Sequence, residues 1–164
     1  MKKILVYWIL ICYSVLLISC GVATNMSELL TYQEQFTEMT VRITDGEQFQ
    51  MRLEKKDGTL FLFFTDEKRK DIGYCMERDG KISMVYEDFV LPLEKEEYLK
   101  CKEWFMLFRL SASETIWKIK KESLGGIDVF VCHDGLVTAY IDRTTRLPIK
   151  LTMGELEIDI LSVK

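Results

Sequence analysis

Three consecutive residues, Cys132, His133 and Asp134, combine a thiol, an imidazole and a carboxylate, and His133 is the only histidine in the chain. Such groups make up thiol-based nucleophilic sites, in which a base activates the sulfur. Consecutive residues of a strand point to opposite faces, so Cys132 and His133 should diverge. Asp134 precedes Gly135 and is typical of a turn. The triplet therefore predicts an exposed histidine at a hairpin end rather than a catalytic site.

The same histidine and three cysteines form a candidate zinc site, since thiolates and imidazoles are the usual zinc ligands. Cys75, Cys101 and Cys132 lie far apart in sequence, without the short Cys-x₂₋₄-Cys spacing of structural zinc sites. We therefore predict no metal. A Cys75–Cys132 or a Cys101–Cys132 disulfide is the more plausible arrangement, and the sequence does not choose between them. Because all three have apolar neighbours, we expect at least two to be buried.

Acidic side chains cluster at Glu94, Glu96 and Glu97, with Glu87 and Asp88 nearby. A general acid–base pair needs one carboxyl group in an apolar pocket that raises its pKa. These residues stand at the start of a predicted helix instead, where they complement the positive end of the helix dipole. We predict no catalytic residue and no cofactor, and we interpret the chain as non-enzymatic; the alternative is a hydrolase.

The N-terminal segment has the pattern of an export signal. Lys2 and Lys3 precede an apolar run over residues 4–18, which is shorter than the about 20 residues of a membrane-spanning helix. Residues 17–20, LISC, resemble the bacterial lipobox, which is cleaved before a lipid-modified cysteine. The alternative is an uncleaved membrane anchor. We predict a signal peptide at 1–19, a lipidated N-terminus and tether at 20–26, and one domain at 27–164.

These features predict attachment to the extracytoplasmic face of the cell membrane through a lipid on Cys20. Each buried CH₂ of an acyl chain contributes about 0.8 kcal/mol to such anchoring. The chain has 26 acidic and 22 basic side chains, and cleavage would remove two of the basic ones. An acidic domain on an anionic membrane argues against nucleic acid as a partner.

Alternation of apolar and polar residues dominates the chain after residue 35 and predicts strands with one buried face. Two strands follow from Met39, Val41 and Ile43 and from Phe49, Met51 and Leu53. Four Asp-Gly pairs mark hairpin corners. Residues 27–35 either form a brief helix capped by Ser27 or lead straight into a strand. Further strands are predicted at Leu60–Phe64, Ile72–Met76, Ile82–Tyr86, Thr115–Lys120, Ile127–Cys132, Val137–Ile141, Ile149–Thr152 and Leu156–Val163.

One segment, Glu94–Leu110, has helical rather than alternating periodicity. Its second half is apolar on nearly every side, so the helix must be covered by other elements on most sides. The fold class that follows is mainly β (α+β). We predict a single curved antiparallel sheet, or half-open barrel, of about ten strands with one covering apolar helix.

Residues 139–152, AYIDRTTRLPIKLT, resemble a late strand–turn–strand of the LolA/LolB-like lipoprotein-carrier superfamily. In that pattern a strand ends in Asp, a polar turn contains Thr, and a Pro opens the next strand; Asp142, Thr145, Leu147, Pro148 and Lys150 match. Asp142 and Thr145 are expected to accept hydrogen bonds from turn amides. The resemblance implies a half-barrel with a helical lid and a concave apolar cavity for acyl chains. Within this superfamily, the chain resembles most the uncharacterised lipoproteins of bacteria that lack an outer membrane.

Five aromatic residues are candidates for lining such a cavity: Phe61, Phe63, Trp104, Phe105 and Phe108. A packed core explains the same residues without a ligand. The first functional hypothesis is a binding module for a lipid or other acylated or hydrophobic ligand. The alternative is an envelope lipoprotein that binds or assembles with another protein. A hollow of several hundred Å³ beneath the helix favours the first, whereas a filled interior with an exposed apolar patch favours the second.

Overall fold

The computed structural model of the protein describes residues 25–111 and 116–164. The predicted signal peptide, Cys20 and most of the tether lie outside these residues, as does Thr115, the predicted start of one strand. Among the described residues, no helix is both long enough and apolar enough to cross a bilayer.

Two short helices, α1 (Met26–Leu29) and α2 (Tyr32–Gln35), precede the strands, and a longer helix, α3 (Lys95–Phe108), separates two groups of them. The first group is β1 (Glu38–Asp45), β2 (Glu47–Lys56), β3 (Thr59–Phe64), β4 (Ile72–Met76), β5 (Ile82–Tyr86) and β6 (Phe89–Pro92). The second is β7 (Lys118–Leu124), β8 (Ile127–His133), β9 (Val137–Asp142), β10 (Pro148–Met153) and β11 (Leu156–Val163).

All eleven strands form one open antiparallel sheet in the order β6-β5-β4-β3-β2-β1-β11-β10-β9-β8-β7. Two meanders meet where β1 pairs with β11, so that Ile43 lies opposite Ile158. Helix α3 contacts both β5 and β10. In a flat sheet these strands would lie about 29 Å apart, farther than the roughly 21 Å length of a 14-residue helix. The sheet therefore curves around α3, and the predicted fold class is confirmed.

The predicted Asp-Gly corners join consecutive strands. Asp57 and Gly58 have φ values of 50° and 80°, the left-handed pair that a two-residue hairpin turn between β2 and β3 requires. These short turns allow each strand to pair with its neighbour in sequence, which is what makes the two meanders.

The sequence prediction missed β6 and placed β7 too early. The predicted strand ended at Lys120, whereas β7 continues to Leu124. Gly125 and Gly126 have φ values of 57° and 86° and form the corner between β7 and β8, so the strand runs up to them. β6 is four residues long and exposed throughout, so it lacks the alternation that reveals a half-buried strand.

Residues 27–35, which the sequence left open, form α1 and α2. The cap of α1 is Asn25 rather than Ser27: its side-chain oxygen accepts a hydrogen bond from the amide of Glu28 at 2.9 Å. An Asn side chain before the first turn satisfies a backbone donor that has no partner within the helix.

Helix α3 begins after its cap residue Glu94 and ends at Phe108, two residues before the predicted end. It is not covered on every side, because Leu99 and Met106 are exposed. Its buried residues are Cys101, Trp104, Phe105, Leu107 and Phe108.

Arg109, directly after α3, fixes the end of the helix to two hairpin corners. Its guanidinium donates to the carbonyl oxygens of Gly58 and Glu77 at 3.1 Å each. Burial lowers the pKa of this guanidinium, but an arginine remains charged at neutral pH.

The interior between the second half of α3 and the sheet is filled with side chains. Phe105 and Leu107 are fully buried, and they belong to one apolar cluster with Ile43, Leu62 and Ile158 from the sheet. The middle of the concave face is therefore a packed core.

Candidate binding site

The sheet separates the five aromatic residues predicted to line a cavity. Phe61 and Phe63 alternate with the core residues Leu60, Leu62 and Phe64 along β3, so they lie on the convex face, away from α3. Their rings stack with centroids 6.0 Å apart and an interplanar angle of 2°. They therefore do not share a cavity with the helix residues.

The three helix residues differ among themselves. All three are buried in the core, and Trp104 also lines an open cavity. Of the five predicted residues, only Trp104 is at this cavity. Contact of any of them with a ligand stays a prediction.

The cavity has a volume of about 600 Å³ and lies beside α3, from its cap to Trp104. The opposite wall comes from the corner between β1 and β2 and from strands β2, β3 and β4. Its lining residues are Asp45, Gly46, Glu47, Phe49, Phe64, Arg69, Tyr74, Glu94, Glu96, Glu97, Lys100, Cys101 and Trp104.

Four aromatic rings in this lining form a closed circuit of contacts. Phe49 packs edge-on against Phe64 at 5.8 Å between centroids, and Phe64 against Tyr74 at 6.1 Å. The ring centroids of Tyr74 and Trp104 are 5.9 Å apart, with an interplanar angle of 78°. The centroids of Trp104 and Phe49 are 6.1 Å apart, so each ring contacts two others. Three of these contacts are edge-to-face, an arrangement that the ring quadrupoles favour, and the contact between Phe49 and Trp104 is tilted at 48°. We call these residues the aromatic ring cluster.

Two hydrogen bonds fix the polar edges of this cluster. The indole Nε1 of Trp104 donates to Oδ2 of Asp45, and the hydroxyl of Tyr74 donates to Oε1 of Glu97, both at 3.0 Å. Burial, together with the nearby Glu97 carboxylate, raises the pKa of Tyr74 well above its ordinary value. The hydroxyl is therefore a stable donor rather than a proton source.

One cation of the protein already lies against two of the rings. The guanidinium carbon of Arg69 is 4.3 Å from the centroid of Phe64 and 5.4 Å from that of Phe49. Its Nε also donates to Asp66 at 2.9 Å. Such contacts are attractive because the face of an aromatic ring is electronegative. Among the described residues, no cation of the protein lies over Tyr74 or Trp104.

The cavity has a surplus of negative charge, with five carboxylates and two basic side chains in its lining. Within the described part of the chain, none of these five carboxylates forms an ion pair. The sequence had assigned Glu94, Glu96 and Glu97 only to the helix dipole. The structure places all three in the lining of a cavity. Their position at the start of the helix is therefore not their only structural feature.

The three cysteines of the domain are free and buried, and neither of the two disulfides considered from the sequence is present. Burial raises the pKa of the Cys75 thiol, that of Cys101 to about 12 with a contribution from Glu97, and that of Cys132 to about 11. Such thiols are poor nucleophiles because the reactive thiolate is scarce at neutral pH. Across residues 25–111 and 116–164 there is no metal-binding group of His, Cys, Asp and Glu residues.

The Cys-His-Asp triplet diverges as the strand pattern indicates. Cys132 is buried, whereas His133 is exposed and its Nδ1 lies 3.0 Å from the hydroxyl of Thr138. The Asp134 carboxylate accepts hydrogen bonds from the amides of Leu136 and Val137 at 2.9 and 2.7 Å. Asp134 thus shapes the turn between β8 and β9.

The turn that carried the family resemblance has the expected bonds. The Asp142 carboxylate accepts from the amides of Thr144 and Thr145 at 2.6 and 2.9 Å. The Thr145 hydroxyl accepts from the amide of Leu147 at 3.3 Å. These amides lower the pKa of Asp142, and Pro148 begins β10.

Exposed apolar residues continue outward from the cavity toward the free edge of the sheet. Tyr74, Met84 and Leu91 are cross-strand neighbours on β4, β5 and β6, so their side chains share the concave face. Phe89 and Leu91 on the edge strand are 64% and 39% exposed. These residues extend the apolar side of the cavity to the free edge of the sheet.

No protein-family model matches the sequence, and neither does any curated protein. Solved structures do resemble the fold. The crystal structure of MucB aligns with a TM-score of 0.50 and 12% sequence identity over 84% of this chain. The likeness supports a LolA/LolB-like fold. The chain spans 57% of the length of MucB.

Two crystal forms of PNGF-II also align, each at 12% identity over 77% of this chain. Their TM-scores are 0.38 and 0.37, and the match covers 27% and 28% of the PNGF-II chains.

Sequence reasoning missed most of the cavity because its residues come from separate strands. Phe49, Phe64 and Tyr74 lie on β2, β3 and β4, and alternation alone does not say which face of each strand meets the helix. One feature of the sequence did point to the cavity. Side chains alternate between the two faces of a strand, so in residues 60–64 Phe64 lies on the face opposite Phe61 and Phe63.

Proposed function

We propose that this protein is a non-enzymatic binding module, anchored to the extracytoplasmic face of the cell membrane by a lipid on Cys20, and that its partner is another envelope protein. The anchoring rests on the sequence of residues 1–20. The choice of a protein partner rests on one observation, the filled interior beneath the second half of α3. Phe105 and Leu107 fill space between the helix and the sheet that a buried acyl chain would need.

The accessible features support the same proposal. The cavity is open and has a charged rim, and exposed apolar residues on β6 lie beside it. Protein interfaces combine apolar contacts with a polar rim. A site of this composition suits a protein segment better than an acyl chain, which offers nothing for five carboxylates to bind.

In-cell photo-crosslinking tests the protein partner. A photoreactive amino acid replaces Lys100, which lines the cavity, or Lys102, which is exposed on the same helix and does not line it. We expect a discrete protein adduct from position 100 and none from position 102. Equal adducts from both positions, or adducts only with lipid, would contradict a protein partner at this site.

One observation keeps a hydrophobic small ligand as a second candidate. The cavity volume of about 600 Å³ lies within the roughly 300–1,000 Å³ typical of small-molecule sites, and four aromatic rings line it. Native mass spectrometry of protein purified under mild conditions distinguishes a small hydrophobic ligand from a protein partner. A stoichiometric lipid adduct that Trp104→Ala abolishes would support this second function.

A further inference from the structure

We propose that strand β7, at one free edge of the sheet, is a docking site for an extended acidic segment of another protein, which adds to the sheet as a further antiparallel strand. This goes beyond the proposed function, because β7 is the edge opposite to β6, the strand beside the cavity. The inference rests on the unpaired backbone groups of β7, on the contrast with β6, and on a group of lysines that have no partner.

The outer edge of β7 exposes a regular row of backbone groups. On β8, the carbonyl oxygen of Asp128 accepts a hydrogen bond from the amide of Arg143, on the side of β9, at 3.0 Å. Backbone groups alternate between the two sides of a strand, so Asp128 does not bond to Ser123, its partner on β7. The N–H and C=O groups of Ser123, Lys121 and Ile119 therefore point away from the sheet. In the described part of the chain they make no backbone hydrogen bond.

Strand β7 has none of the features that protect a free edge. Its seven residues pair with β8 in an unbroken register, and the strand contains neither a bulge nor a proline. Short length, bulges and prolines are the usual means of preventing a further strand from pairing. The edge of β7 is therefore geometrically complete as a template.

The opposite edge, β6, is protected. It has only four residues, and Tyr86 and Phe89 flank the two-residue corner that joins it to β5. Such flanking residues bond to each other, so Phe89 faces β5, whereas Val90 and Pro92 face outward. Because proline has no N–H, Val90 alone offers an outward donor on β6. The two edges thus differ, and only β7 suits strand addition.

The charge of β7 indicates what kind of strand would add. Lys118, Lys120 and Lys121 are exposed and form no ion pair within residues 25–111 and 116–164. Glu122 is the one acidic residue of the strand, in a chain where acidic residues outnumber basic ones by 26 to 22. Opposite charges on neighbouring strands attract, so the complement of this edge is acidic.

Lysines on an edge strand also discourage self-association. Two copies of β7 would bring two positively charged strands together, and Pro92 hinders the pairing of β6 of one copy with β7 of another. The lysines do not oppose an acidic strand. They therefore make the edge selective rather than closed, and they favour another protein over a second copy of this chain.

Apolar residues lie on both faces of this edge. Leu124 and Ile127 are cross-strand neighbours at the corner between β7 and β8, and they are 37% and 44% exposed. On the other face, the half-buried Ile119 packs against the core. An added strand would cover these side chains while its backbone bonds to β7, which is how strand addition combines affinity with specificity.

The test uses the full-length protein in detergent and the peptide acetyl-Val-Thr-Lys-Glu-Glu-Val-Glu-amide. In antiparallel pairing this order places glutamates opposite the three lysines and valines opposite Leu124 and Ile119. Binding is followed by the NMR shifts of the β7 amides. We expect saturable shifts at Ile119, Lys121 and Ser123, and an affinity at least about tenfold weaker when lysine and glutamate are exchanged throughout the peptide.

Two methylated peptides separate strand addition from simple charge attraction. N-methylation of the fourth and sixth residues removes amides that would bond to β7 and should weaken binding at least about tenfold. N-methylation of the third and fifth residues, whose amides would face away, should leave the affinity within about twofold. Equal affinities of the two methylated peptides would overturn the inference. The lysines would then attract any anionic surface, including a membrane.

Matched variants of the protein locate the site. Ser123→Pro removes one outward N–H and keeps the bonds to β8, so it should weaken the acidic peptide at least about threefold. Lys120→Glu with Lys121→Glu should reverse the preference between the two charge patterns. Lys68→Glu with Lys70→Glu changes two exposed lysines between β3 and β4 and should leave binding unchanged.

Three results would overturn the inference at this stage. They are an equal effect of the two lysine pairs, no effect of the pair on β7, and a dimer of the wild-type protein that Ser123→Pro dissociates. The dimer would assign the edge to a second copy of the chain. None of these results bears on the partner at the cavity, which the crosslinks from position 100 test separately.

Discussion

The indole nitrogen of Trp104 and the carboxylate of Asp45 lie 3.0 Å apart and join α3 to the corner between β1 and β2. The bond connects two elements that are 59 positions apart in sequence. Because Trp104 is 5% exposed, its N–H has little access to water. The hydrogen bond therefore fixes one wall of the cavity relative to the other.

Asp45→Ala should lower the free energy of unfolding by about 1–3 kcal/mol, since it leaves a buried donor without its acceptor. Urea denaturation measures the change. Glu47→Ala is the matched control, because Glu47 lines the same cavity and makes no ion pair in the described structure. Equal stability of the two variants would show that the bond contributes nothing.

Gly73→Ala should destabilise the sheet by about 1–3 kcal/mol through overpacking. A Cβ atom at this position would lie 2.5 Å from the Phe63 ring and 2.6 Å from the carbonyl oxygen of Leu62. Thermal unfolding measures the effect. Adding Phe63→Ala should not restore stability, because the carbonyl contact remains; full restoration would assign the clash to the ring alone.

The thiols of Cys75, Cys101 and Cys132 should resist alkylation at pH 8 in the folded protein and react when it unfolds. All three are buried and free, and burial raises the pKa of each above its ordinary value. Intact mass before and after iodoacetamide, with and without urea, counts the modified thiols. A mass increase of two hydrogens per disulfide on reduction, or rapid alkylation without urea, would contradict the structure.

The turn at Asp142 should contribute to stability at neutral pH and lose that contribution in acid. Amides of Thr145 and Thr144 hold the pKa of Asp142 below its ordinary value of 3.8. A group whose pKa is lower in the folded state stabilises the fold above its unfolded pKa, and the effect disappears as pH falls through the folded pKa.

Asp142→Asn should therefore reduce the difference in urea midpoint between pH 6 and pH 2.5, because the amide keeps an acceptor oxygen but has no charge to lose. Glu67→Gln, an exposed residue without an ion pair in the described structure, is the control and should leave the difference unchanged. An unchanged difference in Asp142→Asn would exclude this linkage.

Cys20→Ser should abolish both cleavage before residue 20 and firm membrane attachment. In the proposed anchoring, a serine hydroxyl cannot carry the thioether-linked lipid, and the acyl chains would supply the binding energy. Fractionation together with the mass of the N-terminal peptide measures both changes. Wild-type protein that keeps residues 1–19 and partitions wholly into membranes would establish the uncleaved anchor instead.

Much of the fold could be predicted from local patterns, because alternation and Asp-Gly corners are properties of neighbouring residues. Phe49, Met51 and Leu53 indicate β2 without knowledge of any other strand. The exposed edge strand β6 was missed because its four residues, FVLP, have no buried face to create an alternation.

The cavity could not be predicted in the same way. The contact of Trp104 with Phe49 depends on how strongly the sheet curves around α3, and that curvature is set by all the strands together. The exclusion of Phe61 and Phe63 depends on which face of β3 meets the helix. Both the contact of Trp104 with Phe49 and the exclusion of Phe61 and Phe63 from the cavity depend on the register between strands, which local sequence does not reveal.

The central pairing of β1 with β11 has a consequence for how the protein forms. The amide of Thr37 donates to the carbonyl oxygen of Lys164 at 2.9 Å, across 127 positions of the chain. Contacts so distant in sequence make folding slow, because a long loop must close before they form. In a chain exported N-terminus first, the edge of β1 that pairs with β11 would stay unpaired until the end of translocation. An unpaired strand edge can pair with another chain and so promote aggregation. In a chain exported in this order, the first meander would keep a free strand edge until β11 arrives.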